Sequence, residues 1–419
     1  MLLLSDVAPG RRFLARRCGT LTHAIALVFA SGALSVSETQ EQAVAFVHGL
    51  FSSGGVWQQT ATALETEFAI QPILPTLGWQ NAFFNQASNL HNSIGGTNGI
   101  AAVAHSNGGL VLREYLRGFG SISRINRGVT VGTPHGGAAL AGHALNGNLV
   151  QFSDLFFTSI ADPINFYYAA DPEFREAFDT GPLGVFRHLA QFMAGIARSF
   201  NFIINVVGVP IPGITNTDVL QQMPPGSSFI SSLNTGANIA VEATRATVRV
   251  GIATSISPQN AFFRNFSDDP NGWGVVRRAL TNFALIMYEH YSAHPDLILR
   301  ANSDRWLLMF FVLRDLDVVW HFFIGSLVSF NGATAIVDHQ DGLVPLNSTT
   351  WPGASLQTNL LFPSSSIVHR EQRNHPQVRD AIRNVLRDEF GIALRGAPPP
   401  PDDGGDDCIP EPPAIACGL

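Results

Sequence analysis

Short apolar runs and amphipathic stretches alternate along much of the chain. Val44-Ala45-Phe46-Val47 reads as a buried strand that ends at His48-Gly49-Leu50-Phe51. A helical pattern follows, with Trp57, Ala61, Leu64 and Phe68 at one-face spacing. Ile70 to Leu74, Gly99 to Ala104 and Gly128 to Val131 supply further short strands, Arg245 to Thr254 another, and Thr358 to Phe362 one more. After Ala104 the period changes: Leu110, Val111, Leu112, Tyr115 and Leu116 recur at helix spacing until Gly118 stops them. A last helix starts near His375-Pro376 and carries Val378, Ile382, Val385, Leu386 and Phe390 on one stripe before Gly391. Strands alternating with helices at this pace predict an α/β fold, a mostly parallel sheet covered by helices on both faces.

Two long segments interrupt the rhythm. One runs from about Ala138 to Met223 and holds Phe152, Phe156, Phe157, Phe166, Tyr167, Tyr168 and the apolar stretch from Phe200 to Val207. The other, from about 257 to 330, includes Trp306-Leu307-Leu308-Met309-Phe310-Phe311-Val312-Leu313. Both are too short in unbroken apolar length to span a bilayer. They read as helices packed on the core, and as a cap or lid whose inner face borders a site for an apolar ligand.

Composition narrows the partners. Charged residues are 14% of the chain and Phe occurs 30 times, which suits a large core or an apolar ligand. The net charge of −7 lacks the basic face that nucleic acid requires. All 25 basic residues are Arg, so Schiff-base chemistry, a Ser–Lys dyad and a Walker phosphate loop are excluded, since each needs a lysine. Residues 1–37 read as an export signal: Arg11, Arg12, Arg16 and Arg17 precede an apolar stretch from Leu21 to Val36 with small residues for cleavage. An uncleaved anchor is the alternative. A secreted, periplasmic or cell-envelope location follows, and Cys408 and Cys417 form a candidate pair in an oxidising compartment. The Pro-, Asp- and Gly-rich tail, 396–419, has little to bury and reads as a flexible extension of the 38–395 domain.

The candidate chemistry centres on Ala104-His105-Ser106-Asn107-Gly108-Gly109. A serine on a tight strand-to-helix turn between small residues is a nucleophile elbow, which lifts the hydroxyl clear of the sheet. Such a serine needs a base, and the base needs an acid to orient it. In sheets of this type the acid and then the histidine follow the nucleophile in chain order. Asp341, in the tight Asp341-Gly342 turn before Leu343-Val344, is the preferred acid, with Asp338 its competitor. His369, between a strand and the final helix, is the preferred base, with His375 the alternative. The backbone N–H groups of Asn107 and of Leu50, after His48-Gly49, are the candidate oxyanion donors.

With His48-Gly49-Leu50, the elbow, Gly132-Thr133-Pro134-His135-Gly136-Gly137 and Asp341-Gly342-Leu343-Val344-Pro345, the chain resembles the secreted bacterial lipases of the α/β-hydrolase superfamily. His369, followed by His375-Pro376-Gln377-Val378, completes the likeness. The resemblance covers about Ala43 to Leu394, the two insertions less than the rest. It departs from the family at Ala104, where the first elbow glycine is expected, and in the long insertion before Asp341. It implies an α/β-hydrolase fold with helical cap insertions, Ser106 as nucleophile, Asp341 as acid, His369 as base and Leu50 with Asn107 as oxyanion donors. It also implies that His135 is not the base.

The expected activity is serine-dependent hydrolysis of lipid or other apolar esters through an acyl-enzyme, with transient contact to a lipid interface and no cofactor. The insertion before Asp341 leaves a structural calcium open. An acyltransferase or short-chain esterase using the same three residues is one alternative, and a non-catalytic binding protein on a hydrolase scaffold is another. In Glu289-His290-Tyr291-Ser292-Ala293-His294 the two imidazoles stand four apart on one helical face, with Asp296 close by, a spacing that suits a metal, but they read as structural or surface histidines. Asp268-Asp269 and Asp402 to Asp407 read as solvated turn and tail.

Overall fold

The computed structural model describes residues 41–180, 217–256, 270–324, 340–361, 364 and 366–396. The predicted export signal, Cys18, the stretch from Phe200 to Val207, Asp268 and Asp269, Asp338, and the tail from residue 397 with Cys408 and Cys417 lie outside these residues. Six strands form one sheet: β1 (Gln42–Val47), β2 (Ile70–Ile73), β3 (Ile100–His105), β4 (Ile125–Val131), β5 (Val248–Thr254) and β6 (Leu356–Leu360). Their order is β2-β1-β3-β4-β5-β6, and every neighbouring pair is parallel. Parallel pairing requires each connection to cross back over the sheet, which is why helices alternate with strands. Pro72 falls in β2, an edge strand, where a missing N–H is tolerated.

Alternate side chains face opposite ways along a strand and divide the core in two. Val44 and Phe46 of β1 and Ala101 and Val103 of β3 share one cluster with Trp57, Ala61 and Leu64 around α1 (Gln58–Glu67). Val378, Ile382, Val385 and Leu386 of the last helical segment complete that cluster. On the other face Ala45, Val47, Ala102 and Ala104 pack under α2 (Phe83–Ser93) and α3 (Asn107–Gly118). The small alanines there let α3 lie close to the sheet. Gly108 shows how close: a Cβ on it would sit 2.5 Å from the His48 carbonyl oxygen.

Helices fill the described parts of both insertions. The first holds α4 (Ala139–Leu145), α5 (Asn148–Ala170), α6 (Pro172–Thr180) and α7 (Asp218–Gln222), followed by α8 (Ser228–Leu233) and α9 (Gly236–Arg245) before β5. The second holds α10 (Pro270–Ser292), α11 (Leu297–Ala301) and α12 (Asp304–Ile324). Then come α13 (Leu346–Thr349), ahead of β6, and the final α14 (Pro376–Asn384). An aromatic knot joins the two insertions. Tyr167 of α5 packs on Tyr291 of α10 with ring centres 3.9 Å apart and on Trp306 of α12 at 5.5 Å. Its hydroxyl donates to the Leu299 carbonyl at 2.7 Å, and that of Tyr291 donates to Asp171 at 2.5 Å. Burial pushes Tyr167 up to about 12 and Tyr291 further still, so both phenols stay protonated donors. Among the described residues no helix is long and apolar enough to cross a membrane.

Candidate active site

Ser106 is set where β3 turns into α3. Its backbone adopts φ 56 and ψ −131, a region that L side chains rarely occupy and that costs about 1–3 kcal/mol. The turn is held at both ends: the Ser106 N–H donates to the Val131 carbonyl and the Ser106 carbonyl accepts from the Gly109 N–H. The residue is 8% exposed, so Ser106 is nearly buried.

The structure brings the three sequence-predicted side chains together. Ser106 Oγ lies 2.8 Å from His369 Nε2, and His369 Nδ1 lies 2.7 Å from Asp341 Oδ2. These are hydrogen-bond distances over chain separations of 263 and 28 residues. Asp341 is fully buried. Its Oδ1 accepts from the N–H groups of Leu343 and Val344, at 3.0 and 2.8 Å, which is the turn the sequence predicted. The Asp341 carbonyl also receives the His369 N–H at 2.9 Å, so the two loops are tied through backbone as well. Asp338, the competing acid, lies outside the described residues. His375 stands at the start of α14, in the N-cap position.

His105 is buried beside His369, ring centres 4.7 Å apart, and its Nε2–H donates to the His369 carbonyl at 3.0 Å. Burial, then the proximity of His369 and Arg373, holds it well below the usual imidazole range. His135 is also buried and neutral, bonded to Thr130 at 3.0 Å and stacked on Trp351. The arrangement assigns it a packing partner rather than a reacting one.

The loop after β1 passes directly over the serine: a Cβ on Gly49 would meet Ser106 Cβ at 2.8 Å and Oγ at 3.3 Å. The orientation of this loop follows from His48. Its Nε2 accepts the Leu77 N–H at 3.0 Å, so the proton is on Nδ1, which donates to the Gly49 carbonyl at 2.8 Å. The Ser52 hydroxyl donates to the same carbonyl at 2.9 Å. Burial lowers His48 below the ordinary imidazole value and favours this neutral form. The Gly49 carbonyl and the Leu50 N–H belong to one planar peptide and point in opposite directions. Anchoring the carbonyl therefore sets where the Leu50 N–H is aimed. On the other side, the Asn107 side chain donates to Gln86, whose amide in turn holds the Trp79 and Asn81 carbonyls. Among the described residues, Phe51 and Ser106 are the two non-glycine residues with positive φ. Both adjoin the loops that carry Leu50 and Asn107.

Sequence reasoning passed over Gln372, Thr254, Gln86 and Ser52. Gln372 was findable in principle. His369 to Glu371 form a 3-10 turn, whose period of three places residue 372 over residue 369. No metal-ligand cluster occurs among the described residues; His290 and His294 stand on and just past α10 with ring centres 5.9 Å apart.

A parallel sheet in this order, with a strained serine at the end of its third strand and a histidine after the last one, defines the α/β-hydrolase class of fold. No protein-family model matches the chain, and no curated protein matches it. Among solved structures it is similar to the lipase BlEst2 of Bacillus licheniformis in its mature form, with 12% identity, 83% of this chain and 92% of that chain covered, and a TM-score of 0.40. EstA from Clostridium botulinum gives 12% identity, coverage of 87% and 90%, and a TM-score of 0.42. A metagenomic carboxyl esterase, MGS0156, gives 14%, coverage of 84% and 77%, and 0.39. The scores are low, so the fold rests on the strand order and the elbow themselves.

Proposed function

We propose that this protein is a serine carboxylester hydrolase acting on lipid or other apolar esters through an acyl-enzyme. The observation that carries this reading is the unbroken line from Ser106 Oγ through the His369 ring to Asp341, with links of 2.8 and 2.7 Å. A serine hydroxyl is a weak nucleophile until its proton has somewhere to go. In the proposed sequence His369 Nε2 takes that proton as Oγ bonds to the ester carbonyl carbon. The carbonyl oxygen, now negative, is stabilised by the N–H groups of Leu50 and Asn107. His369 then returns the proton to the departing alcohol oxygen, and water repeats the cycle on the acyl-serine to release the acid. Asp341 keeps the ring aimed and stabilises its charged form. The chemistry needs no cofactor.

The apolar bias of the two insertions supports a cap over an apolar acyl group, and the basic, then apolar, N-terminal segment supports export. A fluorophosphonate probe tests the nucleophile. It is expected to add once to the wild type, on Ser106, and not at all to Ser106→Ala; an unlabelled wild type or a labelled variant would remove the nucleophile from the scheme. Hydrolysis of p-nitrophenyl esters from acetate to palmitate tests the substrate class. Activity sustained on the long acyl groups supports lipid esters, whereas confinement to acetate overturns that part of the reading.

A further inference from the structure

Beside the relay lies a buried amide that belongs to none of the motifs. Gln372 has no exposed surface. Its Nε2 donates to Asp341 Oδ2 at 2.8 Å and to Thr254 Oγ1 at 2.6 Å. Thr254, at the end of β5, gives its own hydroxyl proton to the Ile367 carbonyl at 3.2 Å, so its oxygen is left to accept. A carboxylate oxygen also only accepts. Two acceptors therefore determine which end of the amide is nitrogen. The oxygen end lies over Gly132, whose φ is +55. A Cβ there would sit 2.1 Å from Gln372 Oε1. A side chain at position 132 would thus evict the amide, which gives the first glycine of the Gly132–Gly137 run a physical reason.

We infer that Gln372 is a positioning residue for the acid and the base, holding Asp341 Oδ2 so that the carboxylate stays aimed at His369 Nδ1. This rests on the hydrolase reading above. Asp341 Oδ1 is fixed by two backbone N–H groups, whereas Oδ2 faces the imidazole, the group that changes charge during turnover. Nε2 of Gln372 supplies a donor whose charge never changes. Through Thr254 and Ile367 it also ties the carboxylate to the end of β5 and to the segment entering the base loop. The charged and titratable groups around the amide include Asp341, His369, His105 and Arg373.

The test uses the full chain with Gln372→Met, which keeps the length and removes the donor, and Gln372→Glu, which keeps the shape. Steady-state hydrolysis of p-nitrophenyl butyrate and the rate of fluorophosphonate labelling are followed across pH. Gln372→Met is expected to lower kcat about tenfold through loss of aim, with KM changed less than about twofold. The acid limb of its kcat/KM profile should move to higher pH, because a carboxylate relieved of one donor grips the protonated ring harder. Gln372→Glu can donate only while its own carboxyl is protonated, so its activity should recover towards low pH and fall as pH rises. A purely structural role would lower the melting temperature and leave both profiles where they were. Folded variants with wild-type kcat and an unmoved acid limb overturn the proposal, as does failure of both to fold. If Gln372→Met alone misfolds, the pH dependence of Gln372→Glu decides. A wild type that fluorophosphonate does not label sinks the hydrolase reading itself; a labelled wild type with unaltered variants sinks the role of Gln372 alone.

Discussion

Ser106 gains its position from backbone strain, and His369 and Asp341 gain theirs from hydrogen bonds that leave each side chain one orientation. Around them the fold buries imidazoles that cannot afford a proton. His105 and His135 are both held well below the usual imidazole range by burial. In the unfolded chain each would titrate near 6.5. Between the lowered and the ordinary value the unfolded chain binds more protons, so stability rises with pH there and falls as pH drops below about 6.5. Urea denaturation at about pH 7.5 and about pH 5.5 is expected to show this loss, and His135→Gln should shrink it by up to about 1.4 kcal/mol per pH unit. An identical slope in wild type and variant would mean that His135 is not buried neutral. At this scale the three relay residues are legible in the sequence because chemistry restricts them: a serine between small residues, an acid in an Asp-Gly turn, a histidine after the last strand. Gln86 is not, because a buried, hydrogen-bonded glutamine reads in sequence like one on the surface, and Gln372 shows only through its place one 3-10 turn after His369.

Among the elements, α3, which starts directly after Ser106, is pinned by a buried ion pair. Arg113 of α3 donates from Nε to both Glu242 oxygens, at 3.0 and 3.1 Å, and both side chains are fully buried. Arg113 also holds Asn234 and the Leu233 carbonyl, while Trp351 donates to Glu242 at 2.9 Å. Asn234 in turn donates to the His135 carbonyl, so α3, the α8–α9 segment and the Gly132–Gly137 loop form one polar network. Burial pulls Glu242 up and Arg113 down, each against the attraction of the other. Arg113→Met should therefore cost about 3–5 kcal/mol by leaving a buried carboxylate without its ion-pair partner, and pairing it with Glu242→Leu should recover much of that. Chemical denaturation of the single and double variants measures this; a double variant no more stable than Arg113→Met would contradict the pairing. The sequence reveals α3 by its periodicity but not this staple, whose members are far apart in the chain. Strand bounds slip for similar reasons. The sheet uses Leu356–Leu360 rather than residues 358–362, because Gln357, Thr358 and Asn359 on an edge strand lack the apolar run that marks a buried one. β4 begins at Ile125, ahead of the expected Gly128, through the polar Asn126 and Arg127.

Over the whole molecule, a six-stranded parallel sheet is the base, and the long segments inserted between its strands add helices to it. The sheet was legible because its strands alternate with helices and repeat one period change. The helical character of the insertions was legible too, but not their packing, since an apolar stretch such as Trp306 to Leu313 has no single stripe to mark what it packs against. The knot of Tyr167, Tyr291 and Trp306 provides the answer only in three dimensions. The proposed function depends on convergence across this scale, because in that reading Ser106, Asp341 and His369 act only together. Groups that act as one unit lose nearly everything when any one is removed, and little more when a second goes. The direct test is kcat/KM for p-nitrophenyl butyrate in Ser106→Ala, His369→Ala and the double variant. Each single change is expected to cost about 10⁴-fold or more, with the double variant falling no further. Single losses that multiply in the double variant, or a Ser106→Ala enzyme close to wild type, would contradict the relay.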